Sequence, residues 1–311
     1  MRQTKFIWLL KNYTFIQYYY YWFRNGLSNL FYNDEGFYRK EFKKTYGRYP
    51  DIKNPKTFNE KLIWSMLNHR NDIYIKCADK YEVREIVKMK VGVQYLVKCY
   101  DIYDKLEQIK FEKLPDSFVM KATHASAWNL ICLNKKELKF KKELKVFKYW
   151  LTHNYYNFYR EWPYNYMQKR IICEQYIGDK HGNPPMDYKI YCFNGVPKVI
   201  QLDIDRFKNH KRNIYNTEWE LLKDAVIVFD QDFSREYEKP KNFEEMLDIA
   251  GKLSQGFEHV RIDLYNVEGK IYFGEMTFFS YAGTGGVVKS DEFHLLLGSW
   301  FNLPKANILK N

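Results

Sequence analysis

Apolar and polar side chains alternate strictly near the C-terminal end of the chain. In residues 259–265, Val260, Ile262 and Leu264 share one face of an extended segment, while Arg261, Asp263 and Tyr265 share the other. In residues 270–278, Tyr272, Gly274, Met276 and Phe278 fall on one face, with Glu275 and Thr277 opposite. The two segments read as the arms of a β-hairpin. Both apolar sets occupy even positions. Burying them together predicts a connecting loop of odd length around residues 267–269, because an even loop turns one arm over. Gly269 suits the left-handed residue of a three- or five-residue loop. This register sets Asp263 opposite Glu275, and Arg261 opposite Thr277.

Elsewhere helical and strand periods mix. Thr57-Phe-Asn-Glu60 has capping-box spacing and predicts a helix through Lys61, Leu62 and Trp64. Residues 79–90 predict a second helix, with Val83, Ile86 and Val87 as its apolar stripe and Gly92 at its end. Residues 117–123 predict a strand, followed by a loop over 124–129. Residues 138–158 read as largely helical, and 170–177 as a buried strand. Segments 188–193 and 196–203 flank Asn194-Gly195, a strong hairpin signal. A helix from Asn242 to about Ser254 and a last one from near Ser290 complete the pattern. Helices and hairpins in this order predict an α+β fold.

The 311 residues suffice for one large domain or two to three lobes. A net charge of +12 suits anionic partners such as nucleotides, acidic sugars, nucleic acid or membrane headgroups, and equally an ordinary basic surface. No zinc-finger spacing or RNA-binding signature is present, so nucleic acid is not an expected partner. Cys77, Cys99, Cys132, Cys173 and Cys192 are scattered and form no C-x-x-C pair. They suggest neither a disulfide framework nor a thiolate metal site, and fit a reducing cytoplasm.

Residues 1–32 are aromatic and basic. Lys11, Asn12 and Gln17 interrupt an apolar stretch too short and polar to span a bilayer. No small-residue cleavage site follows it. It reads as a helical extension docked on the protein's own core. The alternative is peripheral contact with the inner face of a membrane, made by its Trp and Tyr with Arg2, Lys5, Lys11 and Arg24.

The hairpin carries the chemistry. Carboxylates as close as Asp263 and Glu275 repel unless a cation or proton lies between them. Mg²⁺ held by one or two carboxylates and by substrate phosphates is a common solution. Arg261 beside them can hold a phosphate or acyl-phosphate oxygen bidentately. The plain alternative is an exposed polar face with an Arg–carboxylate salt bridge. No G-x-S-x-G and no Cys–His motif supports serine or cysteine catalysis. The seven His show no metal-ligand spacing.

Taken in order, TFNEK (57–61), ADKYEVRE (78–85), FVMKATH (118–124), CEQYIGD (173–179), DYKIYCFNG (187–195) and RIDLYNVEGKIYFGEMTF (261–278) resemble the TupA-like ATP-grasp family over about residues 50–303. Members of that family are associated with teichuronopeptide and other surface-polysaccharide biosynthesis. The resemblance implies an ATP-grasp fold of two α+β lobes clasping a nucleotide. It divides the chain into an aromatic extension (1–50), an N-terminal helical and α/β region (51–117), a lid lobe (118–175) and a metal-binding catalytic lobe (176–311).

It also implies ATP and Mg²⁺ as cofactors. By position, Lys80 and Lys121 match the lysines that contact nucleotide phosphates, and Glu174, Gln175, Tyr176 and Ile177 match the hinge that meets adenine. Asp187 and Lys189 match the strand facing the nucleotide, with Asp187 able to accept from ribose hydroxyls. Asp263, Glu275 and Thr277 match the metal ligands, and Arg261 with Lys121 the catalytic charges. The implied reaction is ATP-dependent amide formation between a carboxylate and an amine, with a polysaccharide or sugar acid and an amino acid as partners.

Two departures stand out. The lid loop reads His124-Ala-Ser-Ala-Trp-Asn129, with alanines beside Ser126 where the family has glycines. Ala125 and Ala127 could still bring amides to a phosphate if their φ angles are negative, in a stiffer or weaker lid. Thr277 stands where better-known ATP-grasp ligases carry Asn, which weakens the case for a second metal ion.

Two further segments are substrate candidates. Arg206, His210 and Arg212 form a basic stretch suited to an acidic sugar or acyl phosphate, or an ordinary basic loop. Residues 280–286, including Thr284 and Gly285, offer backbone amides to a carboxylate, or simply connect to the last helix. Competing functions are a glycosyltransferase, on the Asp203-x-Asp205 and Asp230-x-Asp232 spacings, and a degenerate, non-catalytic nucleotide-binding protein.

Overall fold

The structure is a computed structural model and describes residues 32–178, 183–205, 209–286 and 288–306. The expectation of an aromatic helical extension over 1–32 therefore lies outside the described residues except for Tyr32. Among the described residues no helix is long and apolar enough to cross a membrane. The chain forms two compact units. Of the described residues, one comprises those up to Phe37 with Cys99–Tyr176, and the other Tyr38–Lys98 with those from Ile177 onward.

The first unit is a four-stranded antiparallel sheet with helices. Its strands are β1 (Cys99–Tyr103), β2 (Phe118–Ala122), β3 (Asn129–Cys132) and β4 (Ile171–Glu174), in the order β1-β4-β2-β3. β1, which falls within the 51–117 region of the sequence reading, thus joins the sheet of this unit. Alternation in β2 buries Phe118, Met120 and Ala122. They meet Phe147 and Trp150 from helix α5 (Phe140–Thr152) and Trp128 from the loop after β2. The helix expected over 138–158 breaks after Thr152 and resumes only as the short α6 (Tyr156–Tyr159).

The second unit starts with α1 (Asp34–Tyr46), whose first residues belong to the other unit, then α2 (Phe58–Asn68), α3 (Asp72–Ala78) and α4 (Val83–Lys90). The expected capping box stands at the start of α2, where Glu60 Oε2 accepts from the backbone N of Thr57 at 3.1 Å. Glu60 Oε1 also accepts from Arg48 at 2.6 Å and from the backbone N of Asp51 at 3.1 Å. The helix expected over 79–90 begins only at Val83. Asp79 caps the preceding turn, its Oδ1 accepting from the backbone N of Tyr81 at 2.8 Å and of Glu82 at 3.0 Å.

The sheet of this unit contains β5 (Met186–Phe193), β6 (Val196–Ile204), β7 (Lys211–Tyr215), β8 (His259–Val267) and β9 (Lys270–Thr277), ordered β7-β6-β5-β8-β9 with antiparallel neighbours. Helix α8 (Phe243–Ser254), which follows α7 (Pro163–Tyr166) in the chain, packs on β5, β6 and β8. It buries Met246, Ile249, Ala250 and Leu253 on the apolar side, against the even-numbered strand residues such as Ile190, Leu202 and Ile262. The last helix, α9 (Asp291–Trp300), is capped by Ser290 Oγ, which accepts from the backbone N of Phe293 at 3.2 Å.

The β8–β9 loop corrects the parity expectation. Val267 pairs with Lys270, so the loop has two residues, Glu268 and Gly269, both at positive φ. An even loop alone would turn β9 over. A bulge restores the face: Leu264 pairs with Phe273 but Asp263 with Glu275, leaving Gly274 as the extra residue. Before the bulge Ile271 and Phe273 are buried, and after it Met276. Tyr272 therefore does not share the Met276 face. Gly274 is the residue that tolerates this. A Cβ there would come within 3.0 Å of the Asp263 carbonyl oxygen. The expected pairs Asp263↔Glu275 and Arg261↔Thr277 are both present.

The β5–β6 hairpin uses the same device. Its two-residue turn, Asn194-Gly195, joins Phe193 to Val196, and a register shift next to Tyr191 pairs Tyr191 with Val199 rather than Lys198. Two buried His complete this unit. His259 lies among Phe58, Phe193 and Phe301, and its Nδ1 donates to the Cys192 carbonyl at 3.0 Å. Burial pushes it from 6.5 to about 3, and His294 from 6.5 to about 4.

Both shifts make the fold acid-sensitive. As pH falls below 6.5, the unfolded chain takes up protons that the folded His259 and His294 refuse, so stability is complete above that pH and declines beneath it. Glu60 extends the loss. Burial alone would raise it, but Arg48 and the backbone donors outweigh burial and hold it at about 2 against an ordinary 4.5. Its contribution declines from pH 4.5 downward. The expected melting temperature therefore drops steadily from pH 7 to pH 4. His259→Leu should remove on the order of 3 kcal/mol of the pH 7-to-4 loss. Calorimetry of both proteins across that range checks it.

Candidate active site

The two bulges put polar residues of all five strands on one face of the sheet, in three rows. Asp203 and Asp187 lie side by side, with Arg212 beyond them; next come Gln201, Lys189, Asp263 and Glu275; then Tyr191, Arg261 and Thr277. Most of these side chains are buried. Buried charges require partners, and here they pair with each other.

Asp263 is the centre. Its Oδ1 accepts from Arg261 Nε at 2.6 Å, and its Oδ2 accepts from Arg261 Nη2 and Lys189 Nζ, each at 2.8 Å. Lys189 also donates to Asp187. Burial raises the Asp263 carboxyl above the usual range, and Arg261 and Lys189 offset only part of that rise. Three donors on its two oxygens require acceptor lone pairs, so it is a carboxylate at neutral pH. Burial opposes the charge on Arg261 as well, but Asp263, Tyr191 and Glu275 together outweigh burial and keep the guanidinium firmly protonated.

Arg261 Nη2 reaches further along β9, 3.1 Å from Thr277 Oγ1 and 3.5 Å from Glu275 Oε1. It thus bridges the two carboxylates. Lys80 Nζ lies 3.7 Å from Glu275 Oε2. It follows helix α3, which is held against β9 by Tyr74 stacked on Phe278, with ring centroids 4.3 Å apart. Two carboxylates and a hydroxyl are hard oxygen donors that suit Mg²⁺. Among the described residues no group of three or more His, Cys, Asp or Glu could hold a metal. Further ligands would therefore come from phosphate and water, as is usual for Mg²⁺.

A second cluster adjoins this one. Arg212 Nε donates to Asp203 Oδ1 at 2.6 Å, and its Nη1 donates to the Ile227 carbonyl at 3.0 Å and to the Tyr281 hydroxyl at 3.2 Å. His210 Nε2 lies 3.2 Å from the same Asp203 oxygen, with its ring stacked 3.7 Å from Phe229. Arg206 lies outside the described residues. Thr284 and Gly285 sit in the loop after β9. That loop also supplies Ser280, whose Oγ accepts from Arg261 Nη1 at 3.4 Å.

In the first unit, Lys121 Nζ donates to Glu174 Oε2 at 2.9 Å across adjacent strands. Ser126 is half-buried in the loop after β2. Ala125 is buried in the core, whereas Ala127 is exposed at φ 60°. The loop thus keeps a backbone that glycine would adopt freely. The division between the units falls between Tyr176 and Ile177, inside the segment expected as a hinge.

Sequence reasoning missed Gln201, Tyr191, Ser280 and Tyr281 as partners of the site. Gln201 shares its strand parity with Asp203, and Tyr191 with Lys189, so both were findable. The two hydroxyls come from a loop whose path no periodicity describes.

A sequence model described as TupA-like ATPgrasp matches residues 60–302. The chain belongs to the TupA-like ATP-grasp family. No curated protein sequence matches it significantly. Among solved structures it is similar to D-alanine–D-alanine ligase from Bacillus anthracis complexed with ATP, at 14% identity and a TM-score of 0.39, over 65% of this chain and 54% of that one. The D-alanine–D-alanine ligase from Helicobacter pylori matches at 12% identity and a TM-score of 0.43, over 77% and 62%. An ADP complex of N5-carboxyaminoimidazole ribonucleotide synthetase matches at 11% identity and a TM-score of 0.45, over 77% and 56%. The chain therefore spans less than two thirds of the length of each.

Two outcomes follow for this TupA-like protein. Ala127→Gly relieves a left-handed alanine on an exposed loop and should stabilise the protein by roughly 1 kcal/mol, less the entropy glycine adds to the unfolded chain. A thermal melt reads this as a small upward shift. Asp263→Asn leaves Arg261 and Lys189 buried without their shared counter-charge. It should cost about 3 kcal/mol or more, measured by urea unfolding.

Proposed function

We propose that this protein is an ATP- and Mg²⁺-dependent carboxylate–amine ligase that forms an amide through an acyl phosphate. The observation that carries the reading is Arg261 bridging Asp263 and Glu275, with Lys189 and Lys80 alongside. Such a belt suits a reaction in which negative charge builds on a transferring phosphoryl group. Family membership supports the same chemistry.

In this reading a carboxylate oxygen attacks the γ-phosphorus of ATP and ADP leaves. An amine then attacks the acyl carbon, phosphate leaves, and the amine's proton passes to solvent. Arg261 keeps one face on Asp263 and turns Nη1 and Nη2 toward the transferring group. Lys80, Lys121 and Lys189 neutralise phosphate oxygens as point charges. Asp263, Glu275 and Thr277 would hold Mg²⁺, which supplies charge neutralisation between phosphates. Glu174, Tyr176 and Ile177 would meet the base, Asp187 the ribose, and Ser126 a phosphate.

Arg206, His210, Arg212, Thr284 and Gly285 are the proposed substrate contacts. The net positive charge and the family's association support a surface or capsular polysaccharide, or its sugar-acid precursor, joined to an amino acid or amine. Use of ATP assigns the reaction to the cytoplasm. A glycosyltransferase gains little support beside the family match, and Asp230 pairs with Lys289 and Asp232 with Ser234 and Tyr237.

The test is ADP release from Mg-ATP with a panel of glucuronate, galacturonate and the twenty standard amino acids. ADP formed only when a carboxylate and an amine are both present is the expected result. ATP binding without turnover on any pair would instead favour a non-catalytic family member. Glu275→Gln, at a half-exposed position with little effect on folding, should abolish turnover. Full activity in that variant would reject the site.

A further inference from the structure

The loop of residues 280–286 runs through an unfavourable backbone. Tyr281 and Ala282 both sit in the left-handed region, at φ 53° and 52°, and Gly283 follows at 63°. For an L-residue this costs about 1–2 kcal/mol each. Yet two side chains of this loop reach the cations of the site: Ser280 accepts from Arg261, and Tyr281 from Arg212. Something must hold the strained path in place.

Asn59 does so from helix α2, more than two hundred residues away in sequence. Its Nδ2 donates to the Gly283 carbonyl and to the Gly285 carbonyl, both at 3.0 Å. The side chain is buried at 2% exposure, so both bonds are shielded from competing water. His294 on α9 fixes Asn59 in turn, its Nε2 lying 3.1 Å from both the backbone N and Oδ1 of Asn59; in one tautomer it accepts from the N–H, in the other it donates to Oδ1. Gly283 fits flush against the helix. A Cβ there would stand 3.0 Å from Ile63 Cγ1, 3.1 Å from Leu62 Cβ and 3.2 Å from the Asn59 carbonyl oxygen.

The geometry points to Asn59 as a positioning residue for substrate binding. It clamps the carbonyls of Gly283 and Gly285, and so presents Ser280 and Tyr281 to the two arginines that receive the carboxylate substrate. This inference rests on the ligase reading for its substrate, but the clamp itself does not. Asn59 touches neither the Asp263–Glu275 pair nor Lys80. Its loss should therefore spare the nucleotide and weaken the second substrate.

The experiment compares wild type, Asn59→Ala and Gly283→Ala, which break the clamp from opposite sides. Hydrogen exchange of residues 280–286 and Mg-ADP affinity by calorimetry are read on each. With the substrate pair identified by the ADP-release panel, KM and kcat follow. Expected are exchange at least tenfold faster confined to 280–286, Mg-ADP affinity within twofold of wild type, and a KM for the carboxylate raised at least tenfold with a smaller change in kcat. Unchanged exchange in both variants overturns the clamp. A parallel loss of Mg-ADP affinity and carboxylate KM, or global loss of protection in both, overturns the positioning role. Absence of ADP release from wild type with every pair overturns the ligase reading and the substrate role with it, while the exchange result still decides the clamp.

Discussion

Strand parity is the constraint on which the site depends. Asp187, Lys189, Tyr191, Gln201, Asp203, Arg261 and Asp263 all sit at odd positions in their strands, with apolar residues between them. Two-residue turns close both hairpins, and each would set odd residues against even ones. Without correction Glu275 would face the α8 side of the sheet, buried among apolar side chains with no counter-charge. One bulge in each hairpin inserts the missing residue and brings ten charged or polar positions of the five strands onto one face. The tight turns and the polar face are compatible only because Lys198 and Gly274 stand outside the ladder.

Once gathered, these groups had to neutralise one another. Asp187, Asp203, Asp263 and Glu275 are matched by Lys189, Arg212, Arg261 and Lys80. A balanced set of buried charges is tolerable, and removal of any one member leaves an excess. The set is graded in exposure. The Asp263–Arg261 and Asp203–Arg212 pairs are short and buried, whereas Glu275 is one-third open with its partners at 3.5 and 3.7 Å. The long pairs at the open end are the ones an incoming phosphate or cation displaces at least cost, while the short buried pairs hold the frame.

Much of this was legible in the sequence. Alternation around Arg261 and Asp263 fixed their shared face, and Asn194-Gly195 marked its hairpin. The loop length was misread because a bulge leaves no period of its own. Its trace was present: apolar residues fall at 271 and 273, then at 276 and 278, and the phase changes across a glycine inside a strand. Helix α3 escaped because seven residues are too few for a periodic stripe, and β1 because only Tyr103 of its five residues is buried. Asp79 was read as helical, but its side chain satisfies the next two backbone donors and delays the helix to Val83.

The loops carry what periodicity could not. Among the described residues nine non-glycine positions have positive φ, and three of them are Ala127 after β2 and Tyr281 and Ala282 after β9. Each of these loops leaves a strand that bears a charged residue proposed for the site, Lys121 in one unit and Glu275 in the other. Backbone in such regions persists only where its surroundings over-determine it. Around Ala127 the ladder-like bond from the Ala122 backbone N to the Trp128 carbonyl, at 2.9 Å, and the buried Trp128 ring close the loop from both ends. Around Tyr281 that work falls to Asn59. TFNEK therefore reads as a single structural instruction. Glu60 caps the helix, Phe58 seats against the His259 and Tyr191 rings, Lys61 ties to the Phe301 carbonyl, and Asn59 holds the loop. A helix start far from the carboxylates in sequence fixes the path of the loop that touches their arginine.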